Sequence, residues 1–102
     1  MLSINIQFTS SLKDELQQIL DHINEPDARL VFLKTTDGGS YSSGRWIPAY
    51  YNGDQVTKLT KEKKSLFCAD GFSFFILPQE LRTELEGNLI NREGDRLTFK
   101  AL

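Results

Sequence analysis

Two apolar, β-forming runs, Ser65 to Ala69 and Phe72 to Leu77, are separated in this chain by Asp70-Gly71 alone. A two-residue connection between strands requires a tight hairpin, and Asp-Gly suits the turn whose two central residues both take positive φ. The hairpin ties this part of the chain to antiparallel β-structure, and the remaining elements have to pack around it.

Other segments carry their own periodicities. In Ser3 to Phe8 the residues Ile4, Ile6 and Phe8 alternate with polar ones, the pattern of a half-buried strand. Thr9-Ser10-Ser11 then offers hydroxyl caps, with Asp14 three residues after Ser11 to suit a helix N-terminus. Leu12, Leu16, Ile19, Leu20 and Ile23 form the stripe of an amphipathic helix, stopped at Asn24-Glu25-Pro26 because proline disfavours helical geometry in the residue before it. Arg29 to Thr35 is continuously apolar in its middle, as in a central strand covered on both faces.

Asp37 to Gly44 gathers glycines and serines and reads as a loop with positive-φ positions, after which Trp46 to Tyr51 resumes as an edge strand that tolerates Pro48. Lys58 to Lys64 reads as a solvated connection. Pro78 opens a short second helix through Leu85 that Gly87 stops, and Asn88 to Asn91 and Arg96 to Phe99 are expected as two last strands.

Length and composition limit the assembly of these pieces. At 102 residues, 39% hydrophobic and 25% charged, the chain suits one folded domain spanning residues 1–102. The expected fold class is α+β and β-rich: a two-sheet sandwich or distorted barrel of short strands, with one N-terminal amphipathic helix and a short second helix.

Charge and cysteine content narrow the function classes. Twelve basic and 14 acidic residues leave a net charge of −2 with both signs scattered, so nucleic acid is a disfavoured partner. Met1-Leu2-Ser3-Ile4-Asn5 has no basic, then apolar, leader pattern and no run reaches the length of a membrane span; no membrane and a cytoplasmic location are expected. The single cysteine, Cys68, excludes an intramolecular disulfide, and with one histidine the chain cannot assemble a Cys/His zinc site by itself.

Four pieces, in order and spacing, resemble the HesB/IscA-like (A-type) iron–sulfur biogenesis family. They are Ile4-Asn5-Ile6-Gln7-Phe8-Thr9 leading into a helix, Ala28-Arg29-Leu30-Val31-Phe32 running toward Gly38-Gly39-Ser40, the Asp70-Gly71 hairpin with its apolar second strand, and Leu85-Glu86-Gly87-Asn88-Leu89-Ile90-Asn91. The resemblance covers nearly the whole chain and implies the family's fold. In that family one cysteine in the glycine loop and two in a Cys-Gly-Cys hold iron or a cluster, because thiolates suit iron and sulfide. Here Gly39 is followed by Ser40 and Tyr41, and no Cys-Gly-Cys occurs near Lys100-Ala101-Leu102. No ligand position matches, so iron or an iron–sulfur cluster is unsupported and no cofactor is expected.

The leading functional expectation is a non-enzymatic binding or accessory protein of this family, with a protein partner or a homodimer. Its partner-binding surface is placed at Asp37, Gly38, Gly39, Ser40, Tyr41, Arg45, Trp46, Tyr50 and Tyr51, where aromatic and arginine side chains of the kind that dominate interfaces flank a glycine loop. Trp46 also has the alternative of closing the core. Two rival readings stay open: a metal or iron–sulfur carrier using Cys68 across a homodimer, and a small-molecule or nucleic-acid module using Tyr41 to Tyr51.

Cys68 reads otherwise as a small hydrophobe between Phe67 and Ala69 on a strand, His22 as a surface residue, and Ser40, Ser42 and Ser43 as turn residues, since neither a phosphate-loop nor a nucleophile-elbow sequence is present. Asp37, Asp54, Glu80, Glu84 and Glu86 show no spacing that singles out an acid–base pair.

Overall fold

In the computed structural model, which describes residues 1–41 and 44–102, Asp70 and Gly71 do reverse the chain between β5 (Phe67–Ala69) and β6 (Phe72–Leu77). Ala69 stands opposite Phe72, and the two turn residues have φ of 49° and 88°, as the tight hairpin demands. Before this hairpin come β1 (Leu2–Ser3), β2 (Ile6–Phe8), α1 (Ser10–His22), β3 (Arg29–Lys34), β4 (Trp46–Tyr51) and α2 (Gly53–Lys61). After it come a 3-10 helix (Gln79–Glu84), β7 (Asn88–Glu93) and β8 (Arg96–Ala101).

The strands form two mixed sheets. One is ordered β1-β5-β6-β3-β4 and the other β2-β7-β8. β1 with β5, β2 with β7 and β3 with β6 run parallel, whereas the pairs β3/β4, β5/β6 and β7/β8 are antiparallel. The expected β-rich α+β class with two sheets is therefore found. β3, expected as the central strand, is internal, and the middle place belongs to β6. β4 is an edge strand, which gives Pro48 the place its missing N–H requires.

β3 buries both faces, and each face meets a different layer. Leu30 and Phe32 join Phe74 and Ile76 against α1 residues Leu12 and Leu16 and against Ile6, Phe8, Ile90 and Leu97 of the smaller sheet. Val31 joins Phe75 and packs under Leu59 of α2.

That second helix corrects the expectation of a solvated connection at Lys58 to Lys64. Asn52 caps it in a reciprocal box, its side chain accepting from Gln55 N while Gln55 Oε1 accepts from Asn52 N, each at 2.9 Å. The short apolar pair Val56 and Leu59 is enough to seat it on the sheet, and its lysines point to solvent. The short helix expected after Pro78 is present in 3-10 geometry. At α1 the cap is Thr9, one of the three hydroxyl residues expected to supply it, whereas Asp14 does not lie in the first turn, which holds no acidic residue. Thr9 Oγ1 is held there by donating to Asn91 Oδ1 at 2.7 Å.

Asp70 links the two sheets. Its carboxylate accepts from the Phe8 main-chain N–H at 2.9 Å and pairs with Lys13 Nζ at 3.2 Å. The Phe8 amide, aided by Lys13, holds the Asp70 carboxyl below the usual aspartate range. A carboxylate whose folded pKa is depressed stabilises the fold above its unfolded pKa, near about 3.9, and that contribution is lost as pH falls through the lower folded value. Asp70→Asn tolerates the positive φ and should flatten the acid limb of the stability–pH curve below about pH 5. Urea midpoints measured from pH 7 to pH 3 check this, and parallel curves for the two proteins would show that the contact contributes nothing.

Candidate functional site

The glycine loop leaves β3 as a tight turn. Asp37 and Ser40 exchange two main-chain hydrogen bonds of 3.1 Å around Gly38 and Gly39, whose φ values of 62° and 84° explain the glycine pair. The return of the loop is pinned by Thr35, which donates N–H to Arg45 O at 2.8 Å and accepts from Arg45 N through Oγ1 at 3.0 Å. Gly44 passes so close that a Cβ there would lie 1.5 Å from Thr35 O. Ser42 and Ser43, weighed as part of a serine-rich loop, lie outside the described residues.

Beside this loop an open groove of about 710 Å³ runs between the end of β3, the start of β4 and β8. Trp46 forms its inner wall and is only 3% exposed. The indole N–H donates to Glu84 Oε1 at 3.2 Å, and Lys34 Nζ sits 5.6 Å from the indole centroid while bonding the same oxygen at 2.7 Å. Lys34, then Trp46, holds the Glu84 carboxyl below its usual range against the opposing effect of partial burial.

Arg45 reaches across to Asp95 in the β7–β8 turn at 2.9 Å, and with Arg96 as a lesser influence keeps the Asp95 carboxyl low. Both partners of that bridge are well exposed, so it orients the rim and adds little stability. On the opposite wall Phe99 is 39% exposed, and Arg96 makes no ion pair among the described residues.

The residues expected to form one surface are divided by this geometry. Asp37, Arg45 and Trp46 line the groove. Tyr50 is exposed and borders a small cleft with His22 and Ile23 at the end of α1. Tyr51 packs with α2 on the other face of the larger sheet, and Tyr41 faces a second cleft there with Leu33 and Leu59. The alternation of β4 side chains separates Tyr50 from Tyr51. Trp46 resolves its two alternatives in favour of the core. The expected site residues do not include Lys34, Glu84, Arg96 or Phe99: Lys34 ends β3, Glu84 arrives with the 3-10 helix, and Arg96 and Phe99 arrive with β8, so only tertiary packing brings the last three there.

His22 is exposed, as expected, with Nδ1 2.7 Å from Gln18 O. Cys68 is half-buried, with Sγ 3.7 Å from Ser3 Oγ. It pairs with Ser73, next to the Phe74 that faces Leu30, so it lies toward the start of β3 while the glycine loop leaves the other end. Among the described residues no three His, Cys, Asp or Glu side chains gather where they could hold a metal ion. Among the same residues no helix is long and apolar enough to cross a membrane. No family model matches the chain, and no curated protein matches it.

Proposed function

We propose that this chain is a non-enzymatic binding module, a HesB/IscA-like domain that serves iron–sulfur biogenesis through protein contacts, with the groove beside the glycine loop as its contact surface. The observation that carries the reading is the groove itself. It opens on the loop where the resembled family delivers its function, and it offers Arg45, Arg96 and a partly exposed Phe99 on a floor made rigid by Trp46. The observed order keeps the expected succession of strand, helix, strand, glycine loop, strand, hairpin, short helix and closing strands, with β1 and α2 as additions to it.

A capture experiment tests the reading. Immobilised wild-type protein and Arg45→Glu are exposed to the same cell extract, and retained proteins are identified by mass spectrometry. A protein held by the wild type and lost from Arg45→Glu, at unchanged thermal midpoint, is expected; identical capture by both rules out the groove as the contact surface. The rival carrier reading is tested by anaerobic reconstitution with iron and sulfide. The expected result is no visible chromophore that Cys68→Ser removes, and a Cys68-dependent chromophore makes the protein a carrier instead.

A further inference from the structure

The open edge of β8 deepens the proposed function, on which this inference rests, because its chemistry specifies what the groove receives. β8 pairs only with β7 among the described residues. The turn between them is the two-residue Gly94-Asp95, which makes Glu93 and Arg96 a hydrogen-bonded pair. At the other end Leu102 N donates to Gly87 O at 2.9 Å, in the same phase. Even-numbered residues of β8 therefore spend their main-chain groups on β7, and Leu97, Phe99 and Ala101 turn theirs outward.

The side chains alternate in a complementary way. By strand alternation Leu97 and Phe99 share the groove-side face and Arg96, Thr98 and Lys100 the other, with Arg96, at the turn, also reaching the groove's rim. Neither Arg96 nor Lys100 makes an ion pair among the described residues. Glu93 stands opposite Arg96 without forming one, and Lys100 stands opposite Leu89. Two copies of this chain pairing edge to edge would bring their Arg96 and Lys100 cations onto one face, a like-charge arrangement that disfavours self-association.

We infer that β8 receives an extended acidic segment of a protein partner as a fourth strand of the smaller sheet. Main-chain hydrogen bonds to Phe99 and Ala101 hold the segment, alternate apolar side chains enter the groove against Phe99, and the intervening carboxylates meet Arg96 and Lys100. This is strand addition with the charge pattern setting the choice of partner.

The probe is a fluorescein-labelled synthetic peptide of alternating glutamate and valine, with a lysine–valine peptide as its counterpart. Anisotropy titration should show saturable binding of the glutamate peptide to the wild type. Amide exchange at Phe99 and Ala101 should slow by about tenfold or more on binding, a change that a charge contact alone does not produce. The double variant Arg96→Glu/Lys100→Glu should bind the glutamate peptide at least about tenfold more weakly and bind the lysine peptide instead, which also shows that the variant is folded. Absence of saturable binding, or binding with unchanged exchange at Phe99 and Ala101, overturns strand addition and leaves the edge cations as a guard against self-pairing. If Arg45→Glu still loses a captured protein in that event, the groove-binding reading survives the failure of this one.

Discussion

Trp46→Ala should lower stability by about 3–5 kcal/mol, the loss typical of a buried large aromatic truncated to alanine. In a domain of this size the thermal midpoint should fall by more than about 12 °C. The indole lies in the main core, its N–H satisfies Glu84, and the Lys34 ammonium rests over its ring. Truncation opens a cavity at the meeting of β3, β4 and the 3-10 helix, and leaves Glu84 with Lys34 alone. Trp46→Phe keeps most of the apolar contact and should retain most of the stability. A midpoint within a few degrees of wild type for the alanine variant would mean that the residue is dispensable to the core.

Phe74→Ala should cost a similar amount, again about 3–5 kcal/mol. Phe74 is fully buried on β6, with its ring edge-on to Phe32 at 5.0 Å and to Phe8 at 6.0 Å. Phe8 and Phe32 stack at 5.7 Å, so three rings fasten β3 and β6 of one sheet to β2 of the other. Edge-to-face pairs add about 0.5–1.5 kcal/mol each to what burial alone provides. Urea titration should show a lower midpoint at unchanged slope, the mark of lost stability without a change in the surface exposed on unfolding. Ser73→Ala, one residue earlier and not in the main core, is the control. Equal midpoints for the two variants would show that the aromatic cluster does not hold the sheets together.

Local chemistry made much of the fold legible. The Asp70-Gly71 hairpin, the α1 stripe and the edge placement of β4 each follow from residues within a few positions of one another. The partition into two mixed sheets does not, since β2 and β7 pair across most of the chain and no local pattern records that choice. α2 shows how one local signal can hide another. The capping residues Asn52 and Gln55 mark its start, but the lysines at 58, 61, 63 and 64 give the segment the composition of a solvated connection, and Val56 and Leu59 make too short a stripe to outweigh them. The site was half legible for the same reason. Asp37 and Arg45 adjoin the glycine loop in sequence, whereas Arg96 and Phe99 reach it only through the packing of β8. Whether Trp46 points inward is set by the register of β4 on β3, in which it faces Lys34.

The parallel pairings of the two N-terminal strands bear on how the protein emerges during synthesis. Leu2 waits for Phe67, and Ile6 waits for Asn88, before either finds its neighbour in a sheet. Translation delivers about 5–20 residues per second, so Ile6 to Phe8 spend seconds outside the ribosome with their main-chain groups and apolar side chains uncommitted. Antiparallel β3 and β4 can meet early, yet the smaller sheet cannot begin until β7 exists. A translational pause placed after residue 61, when β4 and α2 are made but β7 is not, would lengthen that exposure.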